Sequence, residues 1–495
     1  MKSTLITGLA VVNELGDVVG DSVLVEEGLI AGIGPRSRFA GSYGVEYRFE
    51  GYILPSIVDA HLHIRGLGLS SESIDLRGVR SIRELKERLK GSRAPLLYGR
   101  GWDQELFEES RWPTRWDLDD VVKDVPVVLV RICGHAAVLN SKALELSRPW
   151  ELYPDYTLME AGVPTGVVFE DAVAYVLSKL LENVDIKKLV LKALKELSEN
   201  GIAGASSMSC NEGELRALEN LAFEAKALPA KISCYPDYAR RDYVKGGVRG
   251  WVEIAGFKLY SDGSLGARTA YLREPYSDEP GTRGILLADR RVIGEAMVET
   301  SRRGLRLAVH AIGDGALDEV LEAAKATGVR GFRVEHASLA WDEQIEALKE
   351  LSTYVVVQPR FRVSDWWVDR RLGPRIKAVY RFKSMVDRGV KVALSSDAPV
   401  EPLDPNETIK AAMSMCRQPA CSKEEALGIR EALISYTKLA GEASGGGLAG
   451  SGVLEKGYNA DFTVSRLNPL WDGVLEPLEV IVSGLRASQV YKYLS

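Results

Sequence analysis

Positive charge is not in excess in this chain. Its 63 Lys and Arg are outnumbered by 69 Asp and Glu, giving a net charge of −6, and no basic tail or stripe stands out. That excludes the electrostatic footprint of a nucleic-acid-binding protein. Long apolar runs are missing too. None reaches the about 18 residues that a membrane span needs. The opening MKSTLITGLAVVNELGD breaks at Asn13 and Glu14 and carries no small-residue cleavage site, so it predicts a first strand rather than a signal peptide. Cysteine is sparse: Cys133, Cys210, Cys234, Cys416 and Cys421 are odd in number and lack C-x-x-C spacing. They predict reduced thiols in a cytoplasmic protein, not a disulfide framework. Asn and Gln are few beside Arg, Lys and Glu, a balance compatible with a thermophilic source.

Histidine is equally scarce, and here the placement is informative. Four of the five residues fall at or just after apolar runs: His61 and His63 in LPSIVDAHLH, His310 in LRLAVHAIG and His336 in FRVEHAS. Asp397 closes VKVALSSDAPV in the same way. From about residue 186 these runs alternate with segments of helical spacing. YILPSIVDAHLH supplies a first strand, and GIAGASSMS, KISCYPD, EIAGFKLYSDG, LRLAVHAIG, FRVEHAS, TYVVVQPRF and VKVALSSD supply seven more. Repeated β-α units imply parallel strands with right-handed crossovers. The predicted fold class is α/β, a (β/α)8 TIM-like barrel over residues 55–448, with an open doubly wound sheet as the alternative. Residues 1–54 and 449–495 carry short strands and Gly turns, and are expected to build one small β-sandwich from both chain ends. A block at about 77–165, richer in Trp, Pro and charge, interrupts the first β-α unit and is a candidate lid.

Side chains on a strand alternate with period two, so His61 and His63 project into one volume. Imidazoles joined by a carboxylate suit a divalent metal, with Zn as the default and Fe, Mn, Co or Ni fitting the same ligands. A lone H-x-H is no more than two strand histidines. Ligand-type residues at the ends of strands one, five, six and eight place the set at the face where barrel active sites form. Further candidates are Trp102 and Asp103 as pocket lining, His135 as a substrate contact and Arg268 as a carboxylate or carbonyl clamp. For each, a packed turn, a structural histidine or a surface ion pair is the competing reading. Asp262 with Gly263 reads as a turn.

The ordered series ILPSIVDAHLH, GRGWDQELF, GHAAVLNSKAL, GVPTGVVFEDAV, FKLYSDGSLGARTAYLREPYSDEPGTRG, HAIGDGALDEVL, RVEHASL, Gln358–Pro359, SDAPVEPLDP and KGYNADFTV resembles the amidohydrolase superfamily, in its YtcJ-like, type 3 branch, over nearly the whole chain. The resemblance implies that His61 and His63 hold one metal, that His310 and His336 hold a second, and that Asp397 touches the first and serves as acid and base. It implies a carbamylated lysine between two ions; Lys258 sits at the matching strand end, with Glu170 as a rival bridging or substrate-facing carboxylate. The implied activity is hydrolysis of a C–N bond other than a peptide bond (amide, N-acyl or N-formyl amine) by metal-activated water, on a small-molecule substrate, with one or two ions per chain. A homodimer is compatible with the family. The alternatives are a mononuclear deaminase of a heterocyclic amine and a noncatalytic scaffold retaining the fold.

Overall fold

The run YILPSIVDAHLH, read as a single strand, is two: Tyr52–Pro55 and Ile57–Leu62 belong to different sheets. EIAGFKLYSDG divides likewise into Val252–Ile254 and Gly256–Tyr260. Both halves of each run are apolar, so composition does not mark the break; the change of hydrogen-bonding partner does. The computed structural model describes residues 3–70, 73–91, 96–132, 134, 136–181, 184–242, 245–414 and 422–495.

The chain packs as two compact units, Met1–Leu67 with Val190–Ser495, and Gly68–Leu189. In the first unit, Ile57–Leu62, Ile202–Met208, Lys231–Tyr235 and Val252–Ile254 pair in parallel, with Gly247–Val248 antiparallel at one edge. A second parallel sheet contains Gly256–Tyr260, Arg306–Ala311, Arg333–His336, Tyr354–Val357 and Lys391–Leu394. The two sheets exchange hydrogen bonds at two seams. At one, Lys258 N–H donates to the Pro236 carbonyl (2.8 Å) and Ala255 N–H to the Cys234 carbonyl (3.0 Å). At the other, Asp397 N–H donates to the His61 carbonyl (2.8 Å) and His63 N–H to the Ala398 carbonyl (2.9 Å). The Asp59 carboxylate strengthens this second seam by accepting from Ser396 N–H (3.1 Å) and the Tyr436 hydroxyl (3.2 Å).

Helices follow the strands as their periodicity predicts. Asp314–Thr327 buries Ala316, Leu317, Val320, Leu321 and Ala324, one face at 3–4 residue spacing. It stops at Gly328, whose φ of 70° lets its N–H reach the Ala324 carbonyl. Strands from both chain ends join in an eight-stranded sheet, in which Phe462–Ser465 runs antiparallel to Tyr52–Pro55 and Tyr52–Pro55 runs parallel to Thr4–Val12. The Gly68–Leu189 unit has its own six-stranded sheet, which includes Leu97–Trp102 and Val127–Arg131, and its own core, in which Trp102, Phe107, Leu118 and Leu129 pack together. Among the described residues, no helix is long and apolar enough to cross a membrane.

Candidate metal centre

His61 lies in the strand Ile57–Leu62 and His63 follows it, and their ring centroids are 5.7 Å apart. His310, in Arg306–Ala311, and His336, the last residue of Arg333–His336, bring their rings to 4.6 Å, and the His336 ring is 5.0 Å from that of His61. Strand alternation alone would send Glu335 and His336 to opposite faces. Both nevertheless reach His61, because the strand ends in a left-handed step, with φ of 74° at His336 and 44° at Ala337. Asp397 is also left-handed (φ 60°). Such conformations cost about 1–3 kcal/mol each outside glycine and gather at functional sites.

The proton positions follow from the acceptors. His61 Nδ1 is 2.6 Å from Glu335 Oε2, His63 Nδ1 is 3.1 Å from the Met208 carbonyl, His310 Nδ1 is 2.9 Å from Asp262 Oδ1 and His336 Nδ1 is 2.7 Å from Gln358 Oε1. Gln358 is oriented by its own amide, which donates to Ser395 Oγ at 3.0 Å. Each acceptor takes a proton from Nδ1, so each Nε2 presents a lone pair. His61 Nε2 and His63 Nε2 then face Asp397 Oδ1 at 3.5 and 3.3 Å. That oxygen is buried and has no hydrogen-bond partner among the described residues. Three electron-pair donors, all within 4.8 Å of one another, converge with no proton between them. Left alone they repel; a divalent cation would satisfy all three, and the donor set fits one.

Burial lowers the basicity of the imidazoles. It takes His310 and His336 down to about 3 and His61 well below its ordinary value, so the rings are neutral at physiological pH and able to ligate. Lys258 is 1% exposed in the middle of Gly256–Tyr260, with Nζ 5.0 Å from the centre of the Tyr260 ring. Burial brings its ammonium down to about 8, against the opposing pull of Glu335 and Asp397. Burial likewise raises the Asp262 carboxyl to about 7, although the N–H groups of Gly313, Ile312 and Tyr271 donate to it.

The orienting roles of Asp262, Glu335 and Gln358 are not legible in the sequence. Asp262, read there as a turn, holds His310. Glu335 is fully buried between His61 and Arg333, whose Nε and Nη2 reach it at 2.9 and 3.0 Å. Several of the remaining candidates are engaged by their own surroundings. Trp102 does not line a pocket: it is 0% exposed in the core of the Gly68–Leu189 unit, where its indole N–H donates to the Leu129 carbonyl (2.8 Å). Asp103 pairs with Arg131 (2.6 Å) and caps Gln104–Leu106, and Arg268 is held by Asp278 (2.9 Å) and Glu279 (3.3 Å), so both charges serve local ion pairs. Glu170 belongs to the Gly68–Leu189 unit, in a left-handed conformation (φ 44°) just before the helix Asp171–Leu181. His135 lies outside the described residues.

Comparison with known proteins agrees with this geometry. The amidohydrolase family model (Amidohydro_3) matches residues 50–474. YtcJ of Bacillus subtilis (strain 168) is 32% identical over 489 residues, covering 91% of each chain. The N-substituted formamide deformylase of Arthrobacter pascens is 25% identical over 518 residues, covering 93% of each. The crystal structure of an uncharacterized metal-dependent hydrolase from Pyrococcus horikoshii OT3 superimposes with a TM-score of 0.83 at 34% identity, over 94% of this chain and 98% of that one. The chain belongs to the amidohydrolase superfamily, in its YtcJ-like, type 3 branch of metal-dependent hydrolases.

Proposed function

We propose that this protein hydrolyses a C–N bond of a small molecule, an amide, N-acyl or N-formyl amine, with His61, His63 and Asp397 holding one divalent ion and His310, His336 and Lys258 completing a second position. The observation that carries the reading is the convergence of His61 Nε2, His63 Nε2 and Asp397 Oδ1 without a shared proton. The deformylase relative supports the choice of bond. The two five-stranded sheets, joined at both seams, are read as one closed (β/α)8 barrel. The sheet built from the two chain ends is read as the accompanying β-domain.

When bound, a divalent ion supplies a Lewis acid and lowers the pKa of its water from about 15.7 towards about 7. The residues do the rest. Asp397, buried but carrying an unshared Oδ1, accepts the proton of the attacking water and returns it to the departing nitrogen. Glu335, Asp262, Gln358 and the Met208 carbonyl keep the four imidazoles in one tautomer throughout. Lys258, with its amine near pKa 8, is half neutral at pH 8, whereas a lysine at its usual value of about 10.4 is under about 1% neutral. The neutral amine adds CO2 and releases a proton, becoming a carbamate anion that can face two cations.

The experiment is a panel of N-formyl amines, N-acyl amines and aminopurines, assayed with metal-loaded protein, chelated protein and the D397N variant. Amine release from the first two classes, abolished by chelation and by D397N, is expected. Ammonia release from the aminopurines alone, with one ion per chain, would replace this reading by the deaminase.

A further inference from the structure

The sequence spacing predicts reduced, unrelated thiols, but two of them meet in the fold, which reopens that expectation for this pair. Cys210 and Cys234 are 24 positions apart in the chain. Lys231–Tyr235 runs parallel beside Ile202–Met208, with Cys234 opposite Ser207. Beyond Met208 the chain turns left-handed at Ser209 (φ 52°), and Cys210 Sγ comes to 3.0 Å from Cys234 Sγ. Cys210 is 1% exposed and Cys234 0%. Cys210 Sγ also approaches the Asn211 carbonyl at 3.9 Å, a weak contact for a weak donor. A covalent S–S bond is about 2.05 Å long, so the sulfurs have only about 1 Å to close.

We propose that Cys210 and Cys234 form an intramolecular disulfide that braces two adjacent strand ends. The bond fastens the turn that serves His63. Met208, two residues before Cys210, supplies the carbonyl that accepts from His63 Nδ1. Ser209, within the same turn, donates to Asp237 (2.7 Å) and shares a hydrogen bond with the Tyr260 hydroxyl (2.9 Å).

The bond forms by exchange with a low-molecular-weight disulfide such as oxidised glutathione. One cysteine thiolate attacks it, making a mixed disulfide and expelling one small thiolate. The second cysteine thiolate then displaces the other. The two cysteines lose two protons and two electrons between them, and the small disulfide leaves as two thiols. Burial pushes the Cys210 thiol well above its ordinary range, which makes attack slow in the folded chain. The exchange therefore belongs to folding, before the sulfurs are covered, and the same burial shields the finished bond from reductants.

The test refolds the full chain with oxidised glutathione, alkylates it in denaturant and digests it without reductant. Three of the five cysteines should be alkylated, since 5 − 2 = 3, and one cross-linked peptide should join Cys210 to Cys234. That peptide should vanish in C210S, and protein refolded under a thiol reductant should melt roughly 3 °C lower. Five alkylated thiols, or a bridge from either residue to Cys133, Cys416 or Cys421, would overturn the proposal.

Discussion

Replacing Glu335 by Gln keeps the shape of the side chain and removes its charge. The carboxylate now accepts His61 Nδ1 at 2.6 Å on Oε2, Arg333 Nη2 at 3.0 Å on the same oxygen, and Arg333 Nε at 2.9 Å on Oε1. An amide has one acceptor oxygen, so in either orientation its NH2 group meets a donor. His61, Arg333 and Glu335 are all at most 1% exposed, so water cannot repair the mismatch. Removing one member of a buried ion pair costs about 3–5 kcal/mol. Arg333 also donates to the Ala60 (2.6 Å) and Ala443 (3.2 Å) carbonyls, and its guanidinium lies 4.6 Å from the centre of the Tyr235 ring, which argues for the lower end, roughly 3 kcal/mol. The effect on the metal is separate. Loss of an orienting partner behind a ligating histidine lowers affinity by about 10–100-fold. The assay pairs denaturant unfolding of the metal-free protein with zinc competition against a chelator of known affinity. E335Q that folds with wild-type stability and binds zinc with wild-type affinity would refute the role assigned to Glu335.

Other perturbations follow from the same distances. Lys258 has a folded pKa of about 8 against 10.5 for the free side chain. Between those values the unfolded chain carries a proton that the native one lacks, so metal-free, CO2-free protein should gain stability as pH rises from about 8 to about 10.5. K258M should flatten that rise by roughly 3 kcal/mol, read as the difference between the two stability curves; parallel curves would contradict the burial argument. At fixed dissolved CO2, carbamate loading of Lys258, followed by intact mass or 13C resonance, should climb with two protons released per carbamate below about pH 8 and with one above it, until the site is saturated. W102A should cost about 3–5 kcal/mol in thermal or denaturant unfolding, because the indole is sealed among Phe107 and Trp112 and bonded to Leu129. Its metal content should not change, and a drop in metal content would show a role that core packing does not explain.

The histidines were legible because a strand end is a local feature. An apolar run, a period of two and a terminal ligand type are all visible within about ten residues, and His61, His63, His310, His336 and Asp397 met that description. Their supports were not, since His61 and Glu335 are 274 positions apart and His310 and Asp262 are 48. Nothing near Glu335 marks it, and strand alternation points it away from the neighbour it accompanies. Only the left-handed backbone at His336 reconciles the two. Asp262 was masked by its glycine, because an Asp-Gly pair ordinarily signals a turn. The eight β segments were readable from periodicity, but the passage from one sheet to another at Ser56 and Ala255 was not, since apolar residues continue through both. Trp102 shows the opposite failure, in which a residue type suited to binding is consumed by its own surroundings.

Whether distant strand ends gather electron-pair donors around a cation is decided by anomalous scattering at the metal absorption edge, from crystals grown with the bound metal retained. A peak is expected within bonding distance of His61 Nε2, His63 Nε2 and Asp397 Oδ1, with a second beside His310, His336 and a carbamylated Lys258. Full-occupancy metal bound elsewhere, with His61 Nε2 and His63 Nε2 protonated and hydrogen-bonded to Asp397, would contradict it.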